Sequence, residues 1–117
     1  MKEGDVILLK VDVYNVPEGY RIVLNGELDV ETAPQLKQVV KEAAANMLEI
    51  DLSGVSFVDS TGLKSLLDIS NQWKQRGGRI FVLNPQPEVA EVMQLVGLDR
   101  LLKMNNKLDL QRKNRVR

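Results

Sequence analysis

Asp59, Ser60 and Thr61 stand in a row, with Gly62 directly after them. Each of the three side chains carries an oxygen of the kind that accepts from the open amides at a helix start. An amphipathic run follows, in which Leu63, Leu66, Leu67, Ser70 and Trp73 fall on one helical stripe. The tetrapeptide therefore sits where loop becomes helix. There the first amides are unpaired and the helix dipole concentrates partial positive charge. A phosphate on Ser60 would be accommodated by the protein's own backbone. It would add about 1.5 to 2 negative charges and three acceptor oxygens to a surface already carrying Asp59. Gly62 omits a Cβ beside the hydroxyl, which on sequence grounds eases the approach of a protein or nucleotide. The spacing is equally that of an ordinary N-cap. The apolar pair Phe57-Val58 just before it points to a loop pinned on the core, holding Ser60 in a fixed pose.

Other chemistries are excluded by absences. The 117 residues contain no Cys and no His. Disulfides, thiol nucleophiles, imidazole bases, Ser-His-Asp triads and Cys- or His-ligated metals are thereby ruled out. Asp29, Asp51 and Asp59 offer oxygen ligands for Mg²⁺, but no Gly-rich phosphate loop or general base accompanies them. The reading is a non-enzyme with no cofactor. Sixteen basic and sixteen acidic residues cancel, so a direct nucleic-acid or membrane partner is not expected. The start, Met1 to Asp5, is polar, and no apolar run reaches the roughly 18 residues of a membrane span. A cytoplasmic protein is expected.

The elements around the tetrapeptide follow from periodicity. Residues 6–14 alternate as a strand, with Ile7, Leu9, Val11 and Val13 on one face. Residues 15–19, with Pro17 and Gly19, form a turn, and 20–25 alternate again to complete an opening hairpin. Residues 26–31 lead into a helix whose start carries Thr32, Pro34 and Gln35 as a capping box. Its stripe is Leu36, Val39, Val40, Ala43 and, at its end, Met47. Leu48, Ile50 and Leu52 alternate as a third strand, and residues 53–59 read as a connecting loop. The helix after Ser60 ends at Gly77-Gly78. Ile80 to Leu83 is a short buried strand. A third helix then uses Val89, Val92, Met93 and Val96 and stops at Gly97, and residues 98–104 suit a short fifth strand. The order predicts an α/β fold: a mixed four- to five-stranded sheet, an opening hairpin then β-α-β units, packed with helices. One face is covered and the other only partly. Residues 1–104 form the domain. Residues 105–117 form a basic tail, disordered or a short helix, with Arg112, Lys113, Arg115 and Arg117.

Two stretches carry a resemblance. Gly26-Glu27-Leu28-Asp29 is followed, about thirty residues on, by Leu52-Ser53-Gly54-Val55-Ser56-Phe57-Val58-Asp59-Ser60-Thr61-Gly62-Leu63. Together they are closely similar to the STAS-domain anti-sigma factor antagonists of bacteria, the sporulation and general-stress type. The similarity continues through Gly77-Gly78 and Val96-Gly97-Leu98, and spans roughly residues 6–104. It implies the STAS fold and a partner-switching role. Ser60 is then the phosphoacceptor of a GHKL-type serine kinase that is itself the anti-sigma factor. The unphosphorylated protein binds that kinase and frees a sigma factor, and a PP2C-type phosphatase restores it. Asp29, Asp59, Thr61, Gly62, Leu63 and Lys64 are the expected partner surface, on a monomer or weak dimer.

The chain departs from that pattern in two places. Many members carry glycine where this chain has Lys64, which is either a solvated helix lysine or a contact for a phosphate or a kinase. The basic tail stands where the family has an amphipathic helix. The alternative within the family is a scaffold or accessory subunit of a stress-signalling or transport complex. A response-regulator receiver is disfavoured, because the chain opens with a hairpin and lacks the acidic pair and lysine that such a domain requires.

Overall fold

The computed structural model describes residues 9–98. Strand β1, Lys10–Val16, pairs antiparallel with β2, Gly19–Leu28, around a turn at Pro17-Glu18. Helix α1, Ala33–Glu42, leads to β3, Met47–Val58, which lies parallel to β2. Helix α2, Ser60–Gln75, leads to β4, Arg79–Leu83, parallel to β3, and α3, Pro87–Leu95, closes the order. The sheet runs β1-β2-β3-β4 in sequence order, a mixed sheet as the patterning predicts. The expected fifth strand and the basic tail lie outside the described residues, as do Ile7 and the start of the first strand.

Ile22, Leu24, Leu48, Ile50, Ile80 and Val82 alternate onto one face of the sheet. There they form a single core with Leu36 and Val40 of α1, Leu66, Ile69 and Trp73 of α2, and Val89 and Met93 of α3. The opposite face is only partly covered: Arg21 and Glu49 point there and pair at 2.7 Å. Helix α2 ends in the glycine stop expected of it. Gly77 takes φ +80, a conformation open to glycine at no steric cost. The Gly78 amide then donates to Trp73 O at 3.0 Å and the Gly77 amide to Lys74 O at 2.9 Å, closing a Schellman motif.

Several local expectations are corrected. Residues 26–28 do not lead into a helix but extend β2, and residues 53–58 are not a loop but the second half of β3. The register explains why this was hidden. Val23 pairs with Asp51 and Leu28 with Val58, so β3 carries two more residues than β2 over the same span, with irregularities beside Val23/Asn25 and Gly26/Glu27. Each extra residue is a bulge that breaks the two-residue alternation. The buried positions Leu52, Val55 and Val58 consequently fall three apart. Phe57 is 49% exposed, so of the Phe57-Val58 pair only Val58 reaches the core. On β1, Val13 is 49% exposed, because β1 is the edge strand and the α1 segment covers it only in part, beside Val39 and Ala43. On α3, Val92 and Val96 face outward, and only Val89 and Met93 are buried. Met47 belongs to β3 and not to α1. Finally, Thr32 makes no side-chain cap bond to α1. Its hydroxyl donates to Glu27 O at 2.7 Å, while the Gln35 amide donates to Leu9 O at 2.6 Å, tying α1 to the entry of β1. The capping box does not form, because both side chains are engaged by other backbone oxygens.

Candidate functional site

Leu28 and Val58 are the last paired residues of β2 and β3. Asp29 and Asp59, one residue on in each chain segment, therefore emerge side by side at the carboxyl end of adjacent parallel strands. This is the edge of an open α/β sheet where binding sites gather. The Asp59 amide donates across the gap to Leu28 O at 3.2 Å, continuing the ladder by one bond.

The Asp59 carboxylate then joins two segments. As the N-cap of α2 it is extended, with φ −93 and ψ −176, and Oδ1 accepts from the Gly62 amide at 2.7 Å. Oδ2 accepts from the Val30 amide, 3.1 Å away in the loop after β2. A carboxylate spends both oxygens on backbone donors, and the helix dipole favours its charge there. Asp29 does the same work inside its own loop. Its Oδ1 accepts from the Glu31 and Thr32 amides at 3.0 and 3.1 Å, and its backbone oxygen accepts from Ala33 at 2.8 Å. The Asp29 amide donates to the Thr32 hydroxyl oxygen at 2.9 Å. Neither aspartate is a spare ligand, and no metal-holding cluster of acidic groups occurs among the described residues. Asp51, the third carboxylate considered for Mg²⁺, accepts from the Ser53 amide and from the Asn84 side chain instead.

Ser60 is the first residue of α2 and is exposed, as is Thr61. Gly62 and Leu63 are buried. The sequence reading gave Gly62's missing side chain to an approaching partner. Instead the space it leaves faces inward, since a Cβ there would lie 2.3 Å from Leu28 O. Glycine is required because α2 begins directly against the end of β2. Lys64 lies one turn beyond Ser60 with its side chain 72% exposed, and its Nζ is 3.2 Å from Asp68. Lys37 of α1 reaches the same carboxylate at 3.2 Å. The hydrogen bond from Lys37 is the largest influence and lowers the Asp68 carboxyl below the usual carboxylate range; burial opposes it, and the bond from Lys64 adds to the lowering.

Sequence reasoning missed several neighbours. Val30 is 62% exposed beside the Asp59 clamp. Ser60, Leu63, Lys64 and Leu67 face Val96, Gly97 and Leu98 across a groove of roughly 400 Å³. The Lys64–Asp68 pair was legible from its spacing of four, but the Lys37 contact joins residues thirty-one apart and required the packing of α1 on α2. The groove depends on α3 turning Val96 outward, and periodicity had placed that residue in the core.

Comparison with known proteins follows the same outline. The chain is 25% identical over 100 residues to the anti-sigma-B factor antagonist of Staphylococcus epidermidis, covering 83% of this chain and 93% of that protein. It superposes on an anti-sigma factor antagonist from Mycobacterium paratuberculosis with a TM-score of 0.76 at 29% identity, over 86% of this chain and 88% of the other. It superposes on the Bacillus cell-fate determinant SpoIIAA in the phosphorylated form with a TM-score of 0.67 at 26% identity, covering 92% of this chain and 100% of the other.

Two expectations test the geometry. Gly62→Ala should lower unfolding free energy by about 1–3 kcal/mol in denaturant melts, the usual cost of overpacking; a change within about 0.5 kcal/mol would mean the space is open. Asp68→Asn should destabilise at neutral pH. Because the folded carboxyl titrates low, its contribution is present above the ordinary carboxylate range and lost as pH falls through the lowered value. The gap between wild type and variant should therefore close below about pH 4; a gap that persists into acid would contradict the ion pairing.

The sequence profile of the STAS domain matches residues 10–110, and with the fold and strand order above, the chain belongs to the STAS domain family.

Proposed function

We propose that this protein is an anti-sigma factor antagonist whose binding to its anti-sigma factor is switched off by phosphorylation of Ser60. The observation that carries the reading is the placement of Ser60: exposed, hydroxyl-bearing and first in α2, next to a carboxylate that locks the surrounding backbone. Relatives named as anti-sigma factor antagonists, and the superposition on SpoIIAA, itself described as an anti-sigma factor antagonist, in its phosphorylated form, support it.

The chemistry asks little of this chain. A serine kinase, in our reading the GHKL-type anti-sigma factor itself, brings ATP to the helix tip. The Ser60 Oγ attacks the γ-phosphorus, the bond to the bridging oxygen of ADP breaks, and the hydroxyl proton leaves to a base on the kinase. The antagonist is the substrate and supplies no catalytic group. Before transfer, a partner can close on Ser60, Thr61, Lys64 and the exposed Val30, with Asp29 and Asp59 holding the two loops that present them. Afterwards the same tip carries a phosphate beside Asp59. The clamp is already saturated with amide donors, so the phosphate need not displace it, and the fold persists. The partner's surface, complementary to a hydroxyl, now faces charge. A PP2C-type phosphatase would hydrolyse the ester and reset the surface. No helix among the described residues is long and apolar enough to cross a membrane, in keeping with action in the cytoplasm.

Co-expression with the serine-kinase anti-sigma factor of the same genome should add one phosphate, mapping by mass spectrometry to Ser60. In pull-down and calorimetry Ser60→Ala should bind the kinase constitutively. Ser60→Asp should bind at least about tenfold more weakly, since a charge left unpaired against a surface complementary to a hydroxyl costs more than the 1.4 kcal/mol that a factor of ten represents. Equal binding by wild type and both variants would refute the switch.

A further inference from the structure

We infer that Lys64 is the phosphate-binding residue of the phosphorylated form, held in reserve by Asp68 until Ser60 is modified. The inference rests on Ser60 being the modified residue and concerns what receives the phosphate once it is there.

Ser60 and Lys64 are four residues apart on α2 and line the same groove, so they are neighbours on one helical face. A negative group four residues before a lysine is the favourable order for an ion pair in a helix, and the reverse order is the weaker one. Lys64 now occupies the weaker order: it lies before Asp68, at 3.2 and 3.4 Å from its two oxygens, with a largely exposed side chain. Asp68 does not depend on it. Lys37 reaches Asp68 from α1 at 3.2 Å and remains when Lys64 leaves. A dianionic phosphate on Ser60 offers Lys64 twice the charge, in the better geometry, without stranding the carboxylate it abandons.

The other charged groups nearby do not compete. Asp59 and Asp29 both accept from backbone amides, and among the described residues the α3 side of the groove contributes only Val96, Gly97 and Leu98. Lys64 therefore moves from Asp68 to the phosphate, and the groove beside Ser60 loses its extended lysine stem. Phosphorylation changes both the charge and the shape of that surface.

The test uses full-length protein with phosphoserine inserted at position 60 during translation, so that it does not depend on any kinase. Phosphorus NMR then follows the second ionisation of the phosphate, ordinarily near pH 6. Lys64→Gln should raise it by roughly 0.2–0.7 pH units, the span that one exposed ion pair supports. Lys64→Arg should keep the wild-type value. Asp68→Asn, which releases Lys64 fully, should lower it, and Lys37→Gln should move it less than Lys64→Gln. An unchanged titration in Lys64→Gln, or equal shifts in the Lys64 and Lys37 variants, would overturn the assignment, because the lysine would then act only through a diffuse field. Failure of the kinase to modify Ser60 would instead count against the function proposed above and would leave this result standing.

Discussion

The carboxylate of Asp59 is the constraint on which the rest of the site depends. One oxygen closes the first turn of α2 through Gly62 and the other takes the Val30 amide from the loop that leaves β2. Two segments twenty-nine residues apart in sequence are thereby fixed to a single charged group. An N-cap contributes typically about 1 kcal/mol to a helix. The second bond does something a cap does not, since it sets where the α1 entry lies relative to Ser60. Ser60 can be exposed and still well placed because its neighbour on the N-terminal side is anchored through both its carboxylate oxygens and its backbone.

That anchoring begins in the sheet. The two bulges of β3 let it run on beside the end of β2 while its buried positions Leu52, Val55 and Val58 stay on the core. The strands finish level, at Leu28 and Val58, and the aspartates follow together. Helix α2 then starts so close to β2 that only glycine fits at position 62. Beyond it the Lys37–Asp68–Lys64 cluster ties α1 to α2 on the exposed side. Sheet register, helix start and surface charge are thus consecutive layers under one hydroxyl.

Much of this was legible in the residues. The regular elements were, since Leu48, Ile50, Leu63, Leu66 and Trp73 follow strand and helix periods cleanly, and Gly77-Gly78 marks a stop by its chemistry. The cap was legible too, as an Asp before a Ser-Thr-Gly start. What escaped were features decided between segments. The strand character of residues 53–58 was masked by bulges that abolish alternation. The Thr32–Gln35 capping box gave way to bonds with Glu27 O, which the extension of β2 puts within reach of Thr32, and with Leu9 O, twenty-six residues from Gln35. Gly62's purpose was inverted because the Leu28 carbonyl it accommodates lies in another strand. The proposal that Ser60 is a phosphoacceptor does not come from the geometry of the sequence, which allows an ordinary cap equally well; the family resemblance supplied it.

In the proposed switch, phosphorylation changes the surface of a fixed scaffold. Hydrogen exchange at the Val30 and Gly62 amides, compared between the unmodified and Ser60-phosphorylated protein, examines that claim most directly. Both amides are bonded to Asp59, so protection at both should be the same in the two forms while affinity for the anti-sigma factor falls. Loss of protection at either amide on phosphorylation would contradict it, and would mean that the switch works by releasing Asp59 and moving the loops.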